Sequence, residues 1–412
     1  MQYYRKALLL SLIFLAMPSF ADLASAKSAY KTGNFKTALQ EAQPLAQQGN
    51  IEAQAMLADM YASGNGVDQS WPEAVSWYTK AAEQGDSHSQ WELGLFWEQH
   101  HDSNKALAWY IKAANQGNEG AAANLANLYQ GHSGIPYDAD KVMFWLQKSA
   151  ELPGAFQADS LKDVGDHYST GQDTSQDNAQ AVLWWKKAAQ LGQKDAAKEL
   201  GDSYHNGLGV KPDYTQSLTW YRQADNADAY VAIAGMYKRG EGVSSDINQA
   251  IAWYAKADNA EAYAALGDIY HGGDGIARDD AQAALWYTKA AKLPHGNQAR
   301  MALAGLYERG EGVPKSLLIA YAWYTALLDE MKAEPGPEEV FKLYAFAHLN
   351  ASEDAQKEIR DAYQNQLQAL TSAKSRVAPH LSDDEKAKAK VLAENWDVGE
   401  LIGVDSSAKQ SN

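Results

Sequence analysis

Between Leu200 and Ala224 the chain reads LGDSYHNGLGVKPDYTQSLTWYRQA. Both ends of this run carry apolar residues at helical spacing, while the middle holds Gly207, Gly209 and Pro212, so it reads as helix, loop, helix. Near copies stand at 266–291, LGDIYHGGDGIARDDAQAALWYTKAA, and at 303–327, LAGLYERGEGVPKSLLIAYAWYTAL. Working outward, the same unit is anchored by tryptophans 77, 109, 145, 184, 220, 253, 286 and 323, spaced 32 to 39 residues apart. Sixteen residues before seven of them stands a tyrosine: Tyr61, Tyr129, Tyr168, Tyr204, Tyr237, Tyr270 and Tyr307. The second unit differs, with Trp97 twelve residues before Trp109, which corresponds to a glycine loop shortened by four.

Each unit predicts two helices. In the first unit Ala53, Leu57 and Tyr61 share one helical face, and Ala74, Val75, Tyr78, Ala81 and Ala82 form the matching stripe, flanked by Trp77. Paired glycines follow the first helix, as at Gly240 and Gly242, where positive φ can stop it. Seven residues before every repeat tryptophan lies a short polar side chain suited to cap the second helix: Ser70, Asp102, Asp138, Asp177, Asp213, Asp246, Asp279 and Ser316. One such pair cannot bury its apolar stripe alone, so the pairs must stack into an α-solenoid. The fold class expected is all-α, a solenoid of antiparallel helix pairs with a helical C-terminal cap.

The 412 residues divide accordingly. Residues 1–21, with Arg5 and Lys6 before an apolar run and Ser19-Phe20-Ala21 at its end, have the pattern of a secretory signal peptide. Residues 22–49 resemble an incomplete repeat that caps one end. Residues 50–331 hold the eight repeats and 332–400 a helical cap, with helices expected over 338–350, 353–376 and 383–396 and a capping box at Ser382–Glu385. Residues 401–412 are expected to be a flexible tail. The balance of 36 basic against 52 acidic residues excludes the electrostatic footprint of a general nucleic-acid binder. The absence of cysteine excludes disulfides, thiolate metal sites and cysteine nucleophiles.

The motif run at 200–224 and its copies resemble the Sel1-like repeat family, a subgroup of tetratricopeptide-like helical repeats. The resemblance covers residues 50–331. It implies a right-handed superhelix whose task is to hold other macromolecules, and family members with signal peptides act as envelope adaptors in polysaccharide export, cell-wall remodelling, motility or host interaction. Some cysteine-rich relatives are associated with β-lactamase activity, but their repeats carry disulfides that this chain cannot form.

Candidate chemistry is sparse. The repeat tryptophans recur in phase with the buried stripe and are expected to seal adjacent pairs, so that Trp220→Ala would cost roughly 3–5 kcal/mol; Trp71, Trp91 and Trp97 fall outside that pattern. No His-Glu-x-x-His, phosphate loop or serine elbow occurs, so neither metal, cofactor nor catalytic residue is expected. The positions that vary while the scaffold repeats lie two before and one after the repeat tyrosine. Of these, Asp59, Asn127, Asp166, Asp202, His205, Lys238, Asp268 and His271 are the candidate partner-binding residues, expected to line the concave side. The function expected is a periplasmic, non-enzymatic scaffold of the bacterial envelope, a monomer, that binds a protein client through a basic segment or domain. The alternatives are a glycan-binding or β-lactamase-like cell-wall protein, and a secreted effector that docks on a host protein.

Overall fold

The computed structural model describes residues 22–394, apart from 132, 334 and 347–351. The leader expected at 1–21, the tail at 401–412 and the ends of the helices expected to reach residues 350 and 396 lie outside the described residues. Among the described residues the regular structure is entirely helical. The chain forms two compact units, divided after Gln193.

The first unit begins with α1 (Leu23–Lys31) and α2 (Phe35–Gln47), a short helix pair that buries Ala26, Ala38, Ala42 and Ala46 against Leu57 and Met60 of the next helix. α1 supplies in nine residues a first helix that the sequence pattern, lacking the repeat tyrosine there, did not suggest. Four repeats follow: α3 (Ile51–Ser63) with α4 (Trp71–Glu83), α5 (Ser87–Gln99) with α6 (Ser103–Ala114), α7 (Glu119–Tyr129) with α8 (Ala139–Glu151), and α9 (Gln157–Thr170) with α10 (Asn178–Gln190). Each helix packs on the one before and the one after it within the unit.

The second unit holds α11 (Lys194–Asn206) with α12 (Tyr214–Ala224), α13 (Ala227–Arg239) with α14 (Ile247–Ala257), α15 (Ala260–Gly272) with α16 (Asp280–Ala291), and α17 (Asn297–Arg309) with α18 (Leu317–Ala333). Beyond them lie α19 (Pro337–Phe346), the long α20 (Glu353–Val377), a 3-10 turn and α21 (Asp383–Glu394). Leu370, Ala373 and Val377 of α20 are buried in one cluster with Trp323 and Leu327 of α18, so the last repeat does not end in an open apolar face. Ser382 and Glu385 exchange the expected capping-box bonds, at 2.8 and 3.3 Å.

Two recurrent contacts fix each repeat, and a third joins the first two repeats to the helix before them. All eight expected N-cap side chains accept a first-turn amide, from Ser70 with Glu73 to Ser316 with Ile319. The same eight residues donate their backbone N–H to the carbonyl of the repeat tyrosine, or of Trp97 in the shortened second repeat, at 2.7–3.0 Å. There His101 takes the left-handed conformation, φ 58°, in place of the missing glycine loop. Between repeats, a buried glutamine caps the end of the preceding helix: Gln54 donates to the Ala46 carbonyl and Gln90 to that of Ala82, at 3.0 and 2.9 Å. Each carbonyl also accepts the backbone N–H of the glycine three residues on, so the glutamine adds a second donor at the helix end.

The aromatic pairs correct one expectation. The residue after the repeat tryptophan, not the tryptophan itself, is the consistently buried one: Tyr78, Tyr110, Leu146, Trp185, Tyr221, Tyr254, Tyr287 and Tyr324 are all at most 8% exposed. Of the repeat tryptophans only Trp145 and Trp323 are buried; the other six, Trp220 included, are half-buried. The reason is angular. With Ala74, Tyr78 and Ala81 on the inner line of α4, Trp77 is turned about 100° away from it. In five repeats a lysine three residues on lies over the indole: Lys80, Lys112, Lys187, Lys256 and Lys289, between 3.7 and 5.0 Å from the ring centroid. Removing Trp220 therefore should cost less than the 3–5 kcal/mol of a fully buried ring.

Candidate functional site

A buried phenol needs an acceptor, and for Tyr78, Tyr110, Tyr221, Tyr287 and Tyr324 the first helix of the repeat provides a carboxylate. In α3, Asp59 accepts from the Tyr78 hydroxyl at 2.7 Å and lies 3.1 Å from Nε2 of His88. Asp202 accepts from Tyr221 at 2.6 Å and pairs with Lys198 at 2.7 Å. Asp268 accepts from Tyr287 at 2.6 Å. In α9 the ring is an indole, and Asp166 accepts from Nε1 of Trp185 at 2.8 Å while also holding Lys162. Burial first, and the adjacent carboxylate second, push the Tyr78, Tyr221 and Tyr287 phenols well above their ordinary range.

These four carboxylates are thus part of the packing within their repeats, and each keeps some exposure to solvent. Asp268 is exposed, as is Asn127 at the same register in α7, whereas Asp59, Asp166 and Asp202 are half-buried. At the remaining two positions of the row stand Gly235 and Gly305. There an arginine four residues on folds back, with Nη1 of Arg239 and of Arg309 each 3.0 Å from where a β-carbon would lie.

Two members of the row one residue after the repeat tyrosine, His205 and Lys238, join successive repeats, as does the loop residue Arg278. Nε2 of His205 lies 2.9 Å from Glu241, Lys238 lies 3.4 Å from Asp274, and Arg278 lies 3.3 Å from Glu311. Each of these acids is the middle residue of a Gly-x-Gly loop in the following repeat. His271 instead contacts Asp280 of its own repeat at 2.7 Å. The guanidinium of Arg239, followed by His205, holds the Glu241 carboxyl down to about 2. Sequence reasoning treated these loops only as helix stops; the spacing of 36 residues between His205 and Glu241, and again between Lys238 and Asp274, was the signal it passed over.

The first unit adds a half-buried pair, His88 and Glu92, that sequence reasoning did not single out, together with the three tryptophans outside the repeat pattern. His88, raised by its bond to Asp59, stands beside Glu92, whose carboxyl is raised by burial. Trp91 packs against Gly120 of the next repeat and donates Nε1 to Asn124 at 3.1 Å, so it joins two repeats. Trp97 lies under Lys105, 3.9 Å from its ring centroid. Trp71 is 42% exposed and stacks on Phe96. Among the described residues, no three His, Cys, Asp or Glu side chains gather closely enough to hold a metal ion. Within each unit the first helices offer charged and hydrogen-bonding groups at a repeated register, the chemistry of recognition.

Helix pairs of one design, each stacked on the next within its unit, define the class: an all-α solenoid. Eight stretches, 51–86, 87–118, 120–153, 158–193, 194–224, 227–257, 260–295 and 298–327, match the model of the Sel1 repeat, and the chain belongs to the Sel1 repeat family. Among solved structures, the chain is similar to c5321, a protective antigen of uropathogenic Escherichia coli with an SLR fold, at 22% identity and a TM-score of 0.60, covering 93% of this chain and 94% of that one. It is similar also to a Sel1 repeat protein of Oxalobacter formigenes, at 27% identity and a TM-score of 0.59, covering 74% of this chain and 90% of that one. No curated protein matches the sequence. Repeats of this kind generally mediate protein–protein interaction, and solenoids built from them are typically non-enzymatic scaffolds. No described helix is long and apolar enough to cross a membrane.

Proposed function

We propose that the protein is an extracytoplasmic adaptor of the bacterial envelope that holds a protein client on its first-helix face, with a basic segment of the client attracted to the carboxylate row. The observation that carries this reading is the row itself. One register, two before the repeat tyrosine, presents Asp59, Asn127, Asp166, Asp202 and Asp268 at least partly to solvent while the residues on either side of each in the chain are buried. The leader-like residues 1–21 support export, and the description of c5321 as a protective antigen accords with it.

The test is photo-crosslinking in cells from positions 202 and 268, with a second-helix position as control. A discrete protein adduct from the first-helix positions is expected; adducts no different from the control would overturn the reading. The charge requirement is tested by Asp166→Asn, Asp202→Asn and Asp268→Asn together. Asparagine retains an acceptor for the aromatic donors but removes the charge, so capture should fall and weaken further with salt while the fold persists. Unaltered capture removes the row from consideration. Sequencing the N-terminus of the protein recovered from the periplasmic fraction tests the location.

A further inference from the structure

The second unit contains a feature of opposite character to the carboxylate row. A cavity of 580 Å³ lies between the last two repeats and α20, lined among others by His271, Tyr287, Met301, Gly305, Arg309 and Arg376. Three of these are basic, in a chain with 52 acidic against 36 basic residues. The size is that of a pocket able to enclose a small ligand or a short piece of chain.

The cations are held but not exhausted. Arg309 donates Nε to Glu311 at 2.6 Å, which leaves its two Nη groups beside Gly305 in the cavity wall. Arg376 donates Nε and Nη2 to Glu308, at 2.6 and 2.9 Å, and its Nη1 is not part of that fork. His271 contacts Asp280 through Nδ1, so Nε2 is turned from that contact. Gly305 contributes no side chain, and this keeps the floor open where four other repeats carry an aspartate. Met301, Ala302, Leu306 and Ala373 give the remaining wall an apolar character.

We infer that this cavity receives a carboxylate on an extended peptide, with an adjacent apolar side chain against Met301 and Leu306. Forked guanidinium donors match carboxylate geometry, and the apolar wall favours a peptide over a bare anion. The inference goes beyond the adaptor reading, since it places a second site, for an acidic rather than a basic segment, at the capped end of the second unit. It also gives α20 a part in recognition, because Arg376 comes from that helix.

The test is fluorescence anisotropy of the full mature chain with four labelled five-residue peptides of leucine and alanine: with or without one central glutamate, and with a free or an amidated C-terminus. At least one carboxylate-bearing peptide is expected to bind ten-fold or more tighter than the neutral amidated one, and the pattern tells a side-chain carboxylate from a terminal one. Arg309→Gln should abolish this preference. Because Arg376 also anchors α20, the second variant is Gly305→Leu, which fills the floor and should reduce binding ten-fold with an unchanged helical spectrum. Equal binding of all four peptides, or variants that bind as the parent does, overturns the inference. Crosslinking from positions 202 and 268 reads the adaptor proposal independently.

Discussion

The bond between Tyr221 and Asp202 offers a quantitative test of how a repeat is held together. The Tyr221 ring is 3% exposed and lies so close to α11 that a β-carbon on Gly201 would come within 2.4 Å of it. Its hydroxyl donates to Asp202 at 2.6 Å, and the other oxygen of that carboxylate is held by Lys198 at 2.7 Å. Tyr221→Phe removes the donor and leaves the carboxylate with its lysine and some water, so a loss of about 1–2 kcal/mol is expected from a charge-assisted bond. Asp202→Ala strands the phenol hydroxyl at the helix interface and loses the lysine contact, for about 2–3 kcal/mol. Asp202→Asn keeps an acceptor and should cost about 1 kcal/mol or less. In the double variant Tyr221→Phe with Asp202→Ala the stranded donor is gone, so the combined loss should fall short of the sum by about 1 kcal/mol. Urea unfolding followed by circular dichroism, with amide exchange of α11 and α12 to allow for non-uniform unfolding of a repeat array, measures all four. Strict additivity, or an asparagine variant as damaged as the alanine one, would refute the assigned role.

Other consequences concern pH and the loops. Tyr78, Tyr110, Tyr221, Tyr287 and Tyr324 are all raised by burial, so the fold retains protons that the unfolded chain releases above its ordinary phenol value of 10.0. Stability is therefore intact below pH 10 and should fall by about 1.4 kcal/mol per tyrosine for each further pH unit; phenolate absorbance from these residues should appear together with helix loss, and an earlier appearance would contradict their burial. Glu241 behaves oppositely: depressed to about 2, it contributes above its ordinary value of 4.5 and loses that contribution as pH falls toward 2. Glu241→Gln should flatten the stability–pH curve of the second unit in that window, and an unchanged slope would show that the ion pair is inert. Gly312 has φ 66°, and a β-carbon there would lie 2.1 Å from the Asp280 backbone, so Gly312→Ala should destabilise by about 3 kcal/mol. Gly85, with positive φ but open space, serves as its control and should lose only about 1 kcal/mol on the same change.

The frame of the molecule was legible because its signals are local. Helix periodicity, the glycine stops and the eight N-caps each depend on residues a few positions apart, and each is found in its expected place. The division of labour within the Trp-Tyr pairs was not settled by periodicity alone. Adjacent residues are both apolar, and only the packed partner helix decides that Tyr221 turns inward while Trp220 lies at the edge. The candidate positions illustrate the same boundary. Asp202 and Asp268 were found as variable residues of a face, yet their bonds to aromatic rings nineteen residues away depend on how two helices close. His205 and Lys238 stood out by their place beside the tyrosine, but their partners Glu241 and Asp274 belong to the next repeat and required the stacking to be known. The arginine-lined cavity was least visible, since it unites His271, Arg309 and Arg376, the last from a helix outside the periodic region.

The closure of every repeat by an amide of the N-cap and a carbonyl of the tyrosine nine residues earlier, or of Trp97 five residues earlier, uses main-chain atoms alone. Such a latch does not depend on which side chains it carries. Outward-facing residues that take no part in a cap, a glycine turn or an aromatic–carboxylate bond can therefore be replaced by mutation without loosening the hairpin, and chains sharing about a fifth of their residues can keep one framework.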